Sequence, residues 1–230
     1  MIRVASYNIR KCIGTDRLRR PERILDVLAE IDADVVALQE ADRRFGLRKS
    51  ALPLEMIAAR TDYVAVAFDT RAQSIGWHGN AILVKRSHMV LDHAILAIPA
   101  VEPRGAVVAD IAIRGTGLRI VGMHLDLSGL RRRQQVRHIL GQIEQRAPLM
   151  PTILMGDLNE WSRHGGSLVE FSGHHIAPTG PSFHSRRPVA RLDRIITSHD
   201  LLVSDSGTHQ SPVSRRASDH LPIWADVALR

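Results

Sequence analysis

Short apolar runs broken by polar punctuation fill the chain from its second residue. "IRVASYN" reads as a strand. "RPERILDVLAEIDA" spaces Ile24, Leu25, Leu28 and Ile31 for one face of a helix, with Pro21 near its start, where a missing N–H is harmless. "DVVALQE" is a second strand, apolar on both faces. A shorter helix, "PLEMIAART", precedes strands around "YVAVAF", "NAILVK", "MVLDHAIL", "GAVVADIAI" and "LRIVGMHL". The helix "LRRRQQVRHILGQIEQRA" and the strand "TILMG" follow, and two later strands fit "ARLDRIITS" and "LPIWADVAL". Many strands with few, well-separated helices do not alternate as a doubly wound sheet requires. The pattern predicts an α+β fold of stacked sheets with helices outside.

At 230 residues, 44% of them hydrophobic, the chain can bury a substantial core, and we expect a single domain over 1–230. There is no low-complexity segment, short-period repeat or Gly/Ser/Pro-rich linker. The N-terminus enters a strand pattern with no signal-like apolar segment, and no stretch is long enough to span a bilayer, so a soluble, cytoplasmic protein is expected. Cys12 is the only cysteine, which excludes an intramolecular disulfide and a thiolate metal cluster. Thirty-one Lys and Arg against twenty-four Asp and Glu give a formal charge of +7. Nearly all the cations are arginine, whose planar fork suits phosphate oxygens, so an anionic partner fits.

The strand ends carry the chemistry. The first strand ends at Asn8, the second at Gln39 and Glu40, the one before the long helix at His124 and Asp126, and "TILMG" at Asp157 and Asn159. Asp219 and His220 sit in "SDHLP", ahead of the last strand. Each alone is an ordinary turn residue; together they form a donor set. Glu40, Asn8, Asp219, Asp157 and Asn159 supply the oxygens that Mg²⁺ prefers, with Mn²⁺ a substitute. His220 with Asp193 makes an imidazole–carboxylate pair suited to general acid–base work, and His124 is a second imidazole. Period-two geometry sends Asp157 and Asn159 to one side of the chain and Leu158 back toward apolar packing, while Gly156 permits close backbone approach.

The ordered segments "SYNI", "LQE", "MHLD", "GDLN", "RLDRI" and "SDHLP", running from residue 6 to residue 222, resemble the endonuclease/exonuclease/phosphatase superfamily, whose members include deoxyribonucleases, apurinic endonucleases, inositol polyphosphate phosphatases and sphingomyelinases. The resemblance implies a four-layer α/β/β/α sandwich of two mostly antiparallel sheets flanked by helices, with the motif loops gathered at one edge. It further implies Glu40 as the principal metal ligand with Asn8 and Asp219 near it, and Asp157, which can touch a second metal, with Asn159 for orienting water and binding phosphate. His220 and Asp193 are implied as the catalytic pair, and His124 and Arg104 as phosphate contacts. The implied reaction is Mg²⁺-dependent hydrolysis of a phosphodiester or phosphomonoester, with either Asp157 or His220 activating the water.

Substrate and partners are less determined. Basic residues cluster beside the motifs (Arg10 and Lys11, Arg43 and Arg44, Arg131 to Arg133, Arg186 and Arg187, Arg215 and Arg216), which slightly favours a nucleic acid. Few aromatics are available for base stacking, and for Trp77 and Trp161 core or rim packing is the first expectation. A phospholipid or inositol-phosphate substrate is the alternative within the same fold. A non-catalytic binding module would be expected to lack ligands, yet every position is filled. A zinc hydrolase is suggested only by twelve histidines without HExxH spacing. No protein partner is implied.

Overall fold

Two six-stranded sheets packed face to face carry the apolar runs. The computed structural model describes residues 1–43, 49–68, 73–100 and 102–230. Its elements are β1 (Ile2–Asn8), α1 (Pro21–Ile31), β2 (Val35–Gln39), α2 (Leu54–Arg60), β3 (Tyr63–Ala65), β4 (Ala81–Lys85), β5 (Met89–Leu96), β6 (Gly105–Ile113), β7 (Thr116–His124), α3 (Gly129–Glu144), β8 (Thr152–Asp157), β9 (His175–Ile176), β10 (Asp193–Thr197), β11 (Leu201–Thr208), α4 (Ser214–Ala217) and β12 (Ile223–Leu229). Short 3₁₀ turns cover Arg10–Cys12 and Gly166–Phe171.

The first sheet has the order β11-β12-β1-β2-β4-β3 and the second β5-β6-β7-β8-β10-β9. Each is antiparallel except for one central parallel pair, β1 with β2 and β7 with β8. Parallel neighbours need a crossover, and α1 and α3 supply the two. A parallel pair ends both its strands at the same edge, so each sheet presents two strand C-termini side by side.

Three apolar layers result. Between the sheets lie Val4, Val35, Ile82, Val107, Ile120, Met155, Ile195 and Ile223. The sheets come close at Gly122, where an added Cβ would stand 3.3 Å from that of Ala37. On the outer face of the first sheet, Tyr7, Val36 and Leu38 meet the α1 stripe of Ile24, Leu25, Val27, Leu28 and Ile31. On the outer face of the second, Val121, Met123 and Leu154 meet Val136, Ile139 and Ile143 of α3. This is the four-layer sandwich, with the expected helices and nearly all the expected strands in place.

Some details differ from expectation, the short helix α4 among them. "YVAVAF" is a strand only over Tyr63–Ala65, at a sheet edge. β9 and β11 were not anticipated. β11, "LLVSDSGT", lies at the other edge with its polar residues facing water and a register shift between Val203 and Asp205, so it lacks the alternation of a half-buried strand. Cys12 is buried, and burial pushes its thiol up to about 12, in keeping with a packing role. Among the described residues, no helix is long and apolar enough to cross a membrane.

Candidate active site

Strand register assembles the site. In the first sheet Asn8 stands opposite Gln39, and the chain then turns at Glu40 through a left-handed backbone (φ 53°). The Ile9 N–H donates to the Gln39 carbonyl at 3.0 Å and the Lys11 N–H to the Glu40 carbonyl at 2.9 Å, which fixes both strand ends. In the second sheet Asp157 has His124 opposite it on β7 and Asp193 opposite it on β10. Gly156 is required for this pairing, because a Cβ there would lie 1.8 Å from the Met123 carbonyl oxygen.

Asp157, 2% exposed, is the hub. Its Oδ2 accepts a hydrogen bond from Asn8 Nδ2 at 2.9 Å and faces His124 Nε2 at 3.4 Å and His220 Nε2 at 3.7 Å. Its Oδ1 accepts from the Asn159 N–H at 2.9 Å. Here the expectation needs correcting: β8 ends at Asp157, and Asn159 is placed by a turn closed on the Asp157 side chain with a left-handed backbone (φ 51°), not by strand alternation. The Asn159 amide is pinned by donating to the Leu125 carbonyl at 2.9 Å, and Leu158 packs into the outer core as expected.

The two imidazoles have opposite electrostatics. Burial works against the charged form of His220. Asp193, 2.8 Å from Nδ1, together with Asp157 outweighs it and holds the imidazolium up to about 10. The Ser182 hydroxyl also donates to Asp193, and the Phe183 ring lies 5.0 Å from that of His220, so the pair is rigidly seated. His124 is driven down to about 4 by burial, against the pull of Asp157 and with the help of the Arg104 guanidinium that sits against its ring.

Glu40 lines an open cleft with Lys11, Arg43, Gly79, Arg104 and His124. Burial raises its carboxyl, but His124, Lys11 and Arg104 outweigh that and the net shift is downward. His124 is itself neutral at pH 7, so the permanent cations carry the effect there. Lys11 is ion-paired with Glu40, and Arg10 Nε lies 3.2 Å from Asp219 Oδ2.

Two groups could attract a cation. Asp157, Asp193 and His220 have ligand atoms within 4.8 Å of one another. With His220 held as an imidazolium, that trio is better suited to moving protons than to ligating metal. Glu40, Asp219 and Asn8 offer two carboxylates and an amide oxygen, an all-oxygen donor set whose carboxylates are each answered here by a side-chain cation. This chemistry fits a hard divalent ion.

The structure therefore gathers Asn8, His124, Asp157, Asn159, Asp193 and His220 into one buried network. Glu40 and Arg104 join it through His124, and Asp219 borders it through its neighbour His220. Sequence reasoning missed Ser182 and Phe183, which are distant in the chain and carry no motif. It also missed Glu160, 3% exposed and bound to Arg132 of α3 at 3.2 Å. Much of the basic clustering is internal: Arg132 pairs with Glu160 and Arg133 with Glu170, whereas Arg131 and Arg187 are exposed with no ion pair among the described residues. Arg44 lies outside the described residues.

The two-sheet sandwich thus carries a cluster of carboxylates and imidazoles at the edge where its parallel strands end. The chain belongs to the Endonuclease/Exonuclease/phosphatase family, whose profile matches residues 5–220. Members of that family are hydrolases that act on phosphoesters. Solved structures with the same fold include a family member from Bacteroides vulgatus (TM-score 0.80, 21% identity, 100% of this chain and 99% of that one). A mannosyl-6-phosphatase from Bacteroides thetaiotaomicron is similar (0.75, 18%, 100% of each chain). So is D. rerio TDP2, complexed with a single-strand DNA product (0.75, 18%, 99% and 98%). No curated protein matches the sequence.

Proposed function

We propose that the protein is a divalent-metal-dependent phosphoesterase that hydrolyses a phosphodiester or phosphomonoester by in-line attack of water. The observation that carries this reading is the Asp157 carboxylate set 3.4 Å from the His124 imidazole and 3.7 Å from that of His220, with Asp193 bound to the far side of His220 and Arg104 against His124. Environments that push neighbouring titratable groups apart are how one site holds acid and base together. His220, a buried cation backed by Asp193, suits hydrogen bonding to phosphoryl oxygens as charge develops on them. Asp157 is then the group that orients the water and takes its proton, and Asn159 positions phosphate. His124 and Arg104 contact the phosphate from the cleft side.

Glu40, Asn8 and Asp219 would hold Mg²⁺ or, in its place, Mn²⁺. Bound there, the ion supplies charge neutralisation at a phosphoryl oxygen. Lys11 and Arg10 would move off the carboxylates to admit it. Nucleic acid is the favoured substrate class, on the exposed arginines at the rim and the likeness to a DNA-bound relative. The likeness to a sugar phosphatase keeps a small phosphomonoester as the second reading. The test is a panel of DNA, RNA, inositol phosphates, phospholipids and bis-p-nitrophenyl phosphate with Mg²⁺ and Mn²⁺. Hydrolysis that is lost on chelation, restored by either ion and abolished in Glu40→Ala and His220→Ala supports the reading. Near wild-type rates in those variants, or restoration by Zn²⁺ alone, would sink it.

A further inference from the structure

The segment that follows Asn159 holds a tryptophan out in water beside the site. Trp161 is 65% exposed. Its ring meets the edge of Phe183 at 6.2 Å, and Phe183 lies 5.0 Å from His220, so the indole stands two ring contacts from the buried imidazolium.

Its neighbours are firmly anchored. Glu160 accepts from both nitrogens of the Arg132 fork at 3.2 and 3.3 Å, from the Ser167 N–H and hydroxyl at 2.9 and 3.0 Å, and from the Ser162 N–H at 3.0 Å. On the other side, the Ser162 carbonyl accepts from buried Arg194 at 3.4 Å. A large apolar ring kept in water between two anchored residues is poorly explained by packing, which would bury it. It is well explained as a preorganised stacking surface, because a flat ring held in place loses little entropy on meeting another.

We propose that Trp161 is a specificity-determining residue that stacks on a planar aromatic group of the phosphoester substrate, a nucleobase or an aryl leaving group. The proposal rests on the phosphoesterase reading above and adds the substrate feature that the site selects. Arg163 and Arg191, near Trp161 and Asp193 in the chain, are both exposed.

The experiment compares wild type, Trp161→Ala and Trp161→Phe on three soluble diesters: thymidylyl-thymidine, which carries nucleobases; methyl p-nitrophenyl phosphate, which carries only an aryl leaving group; and glycerophosphoethanolamine, which carries no ring. We expect the kcat/KM ratio of thymidylyl-thymidine to glycerophosphoethanolamine to fall about tenfold in Trp161→Ala, mainly through KM, and to recover in Trp161→Phe, as base–aromatic stacking of ~1–3 kcal/mol implies. A matching fall for methyl p-nitrophenyl phosphate alone assigns the ring to the leaving group. Equal losses on all three substrates overturn the proposal. So does a loss seen only on a fourth substrate, phosphatidylglycerol presented as vesicles, which would make Trp161 a membrane contact. If no diester is cleaved, the phosphodiesterase part of the proposed function fails separately, and binding decides: quenching of tryptophan fluorescence by thymidine monophosphate but not by ribose 5-phosphate, absent in Trp161→Phe, supports stacking, and no difference overturns it.

Discussion

Asp157 meets two histidines whose surroundings differ in one respect. His220 has Asp193 bound to its second nitrogen, and His124 has the Arg104 guanidinium against its ring. The folded value of His220 lies above its ordinary 6.5, so its contribution to stability is complete below about pH 6.5 and is lost as pH rises through about 10. His124 is depressed, so its contribution is present above about pH 6.5 and is lost as pH falls toward 4. In metal-free protein, the gap in unfolding free energy between wild type and His220→Asn should be largest near pH 6 and shrink by pH 10, as urea titrations at the two pH values would show. A constant gap would mean that His220 is not charged. By NMR, His124 should give a flat imidazole shift from pH 5.5 to 8. Gly156 sets a second residue-scale limit, because its Cβ position is filled by the Met123 carbonyl. Gly156→Ala should cost at least the ~1–3 kcal/mol typical of overpacking and should separate β7 from β8, with activity falling alongside the thermal midpoint.

At the scale of elements, the decisive units are the two parallel pairs and the loops that leave them. Strand ends were legible because buried runs stop abruptly at polar residues, and that signal located Asn8, Glu40, His124 and Asp157. The route to Asn159 was not legible: alternation and a side-chain-closed turn both place a polar residue after Asp157, and only backbone geometry separates them. The Glu160 anchor was invisible too, since its partner Arg132 lies on a helix remote in sequence and Ser167, although near in the chain, sits in a 3₁₀ turn that no pattern marks. Removing one member of a buried ion pair leaves the other uncompensated, at a cost of ~3–5 kcal/mol. Glu160→Ala should therefore destabilise the protein by about that amount in chemical denaturation. Glu160→Ala combined with Arg132→Met should recover part of the loss, which a merely additive pair would not.

Across the whole molecule, the charge of +7 is distributed unevenly in its consequences. Arginines tied to Glu160, Glu170, Asp110 and Asp226 are neutralised within the fold, whereas Arg131 and Arg187 are exposed with no ion pair among the described residues and, on the proposed function, would form a rim that steers an anionic substrate. Steering by such a rim is screened by salt over a Debye length of about 8 Å at physiological ionic strength. The kcat/KM for a polyanionic oligonucleotide should fall several-fold between 50 and 300 mM NaCl, while that for a singly charged diester should change less than about twofold. A salt-independent oligonucleotide rate would remove the rim from substrate capture.

The sequence by itself determined the layers and the inventory: apolar periodicity dictates which faces must be buried, and polar stops mark where the chain leaves the core. What only the tertiary structure decided is which groups share space. Register across β7, β8 and β10 sets Asp157 between His124 and Asp193, the packing of the two sheets brings in Asn8, and the loop before β12 returns His220 to Asp193. Charge state follows from that proximity, because burial and neighbouring charge act over a few ångströms of space and are blind to distance along the chain. The same holds for Trp161, whose residue type was plain in the sequence but whose exposure depended on how its neighbours were anchored.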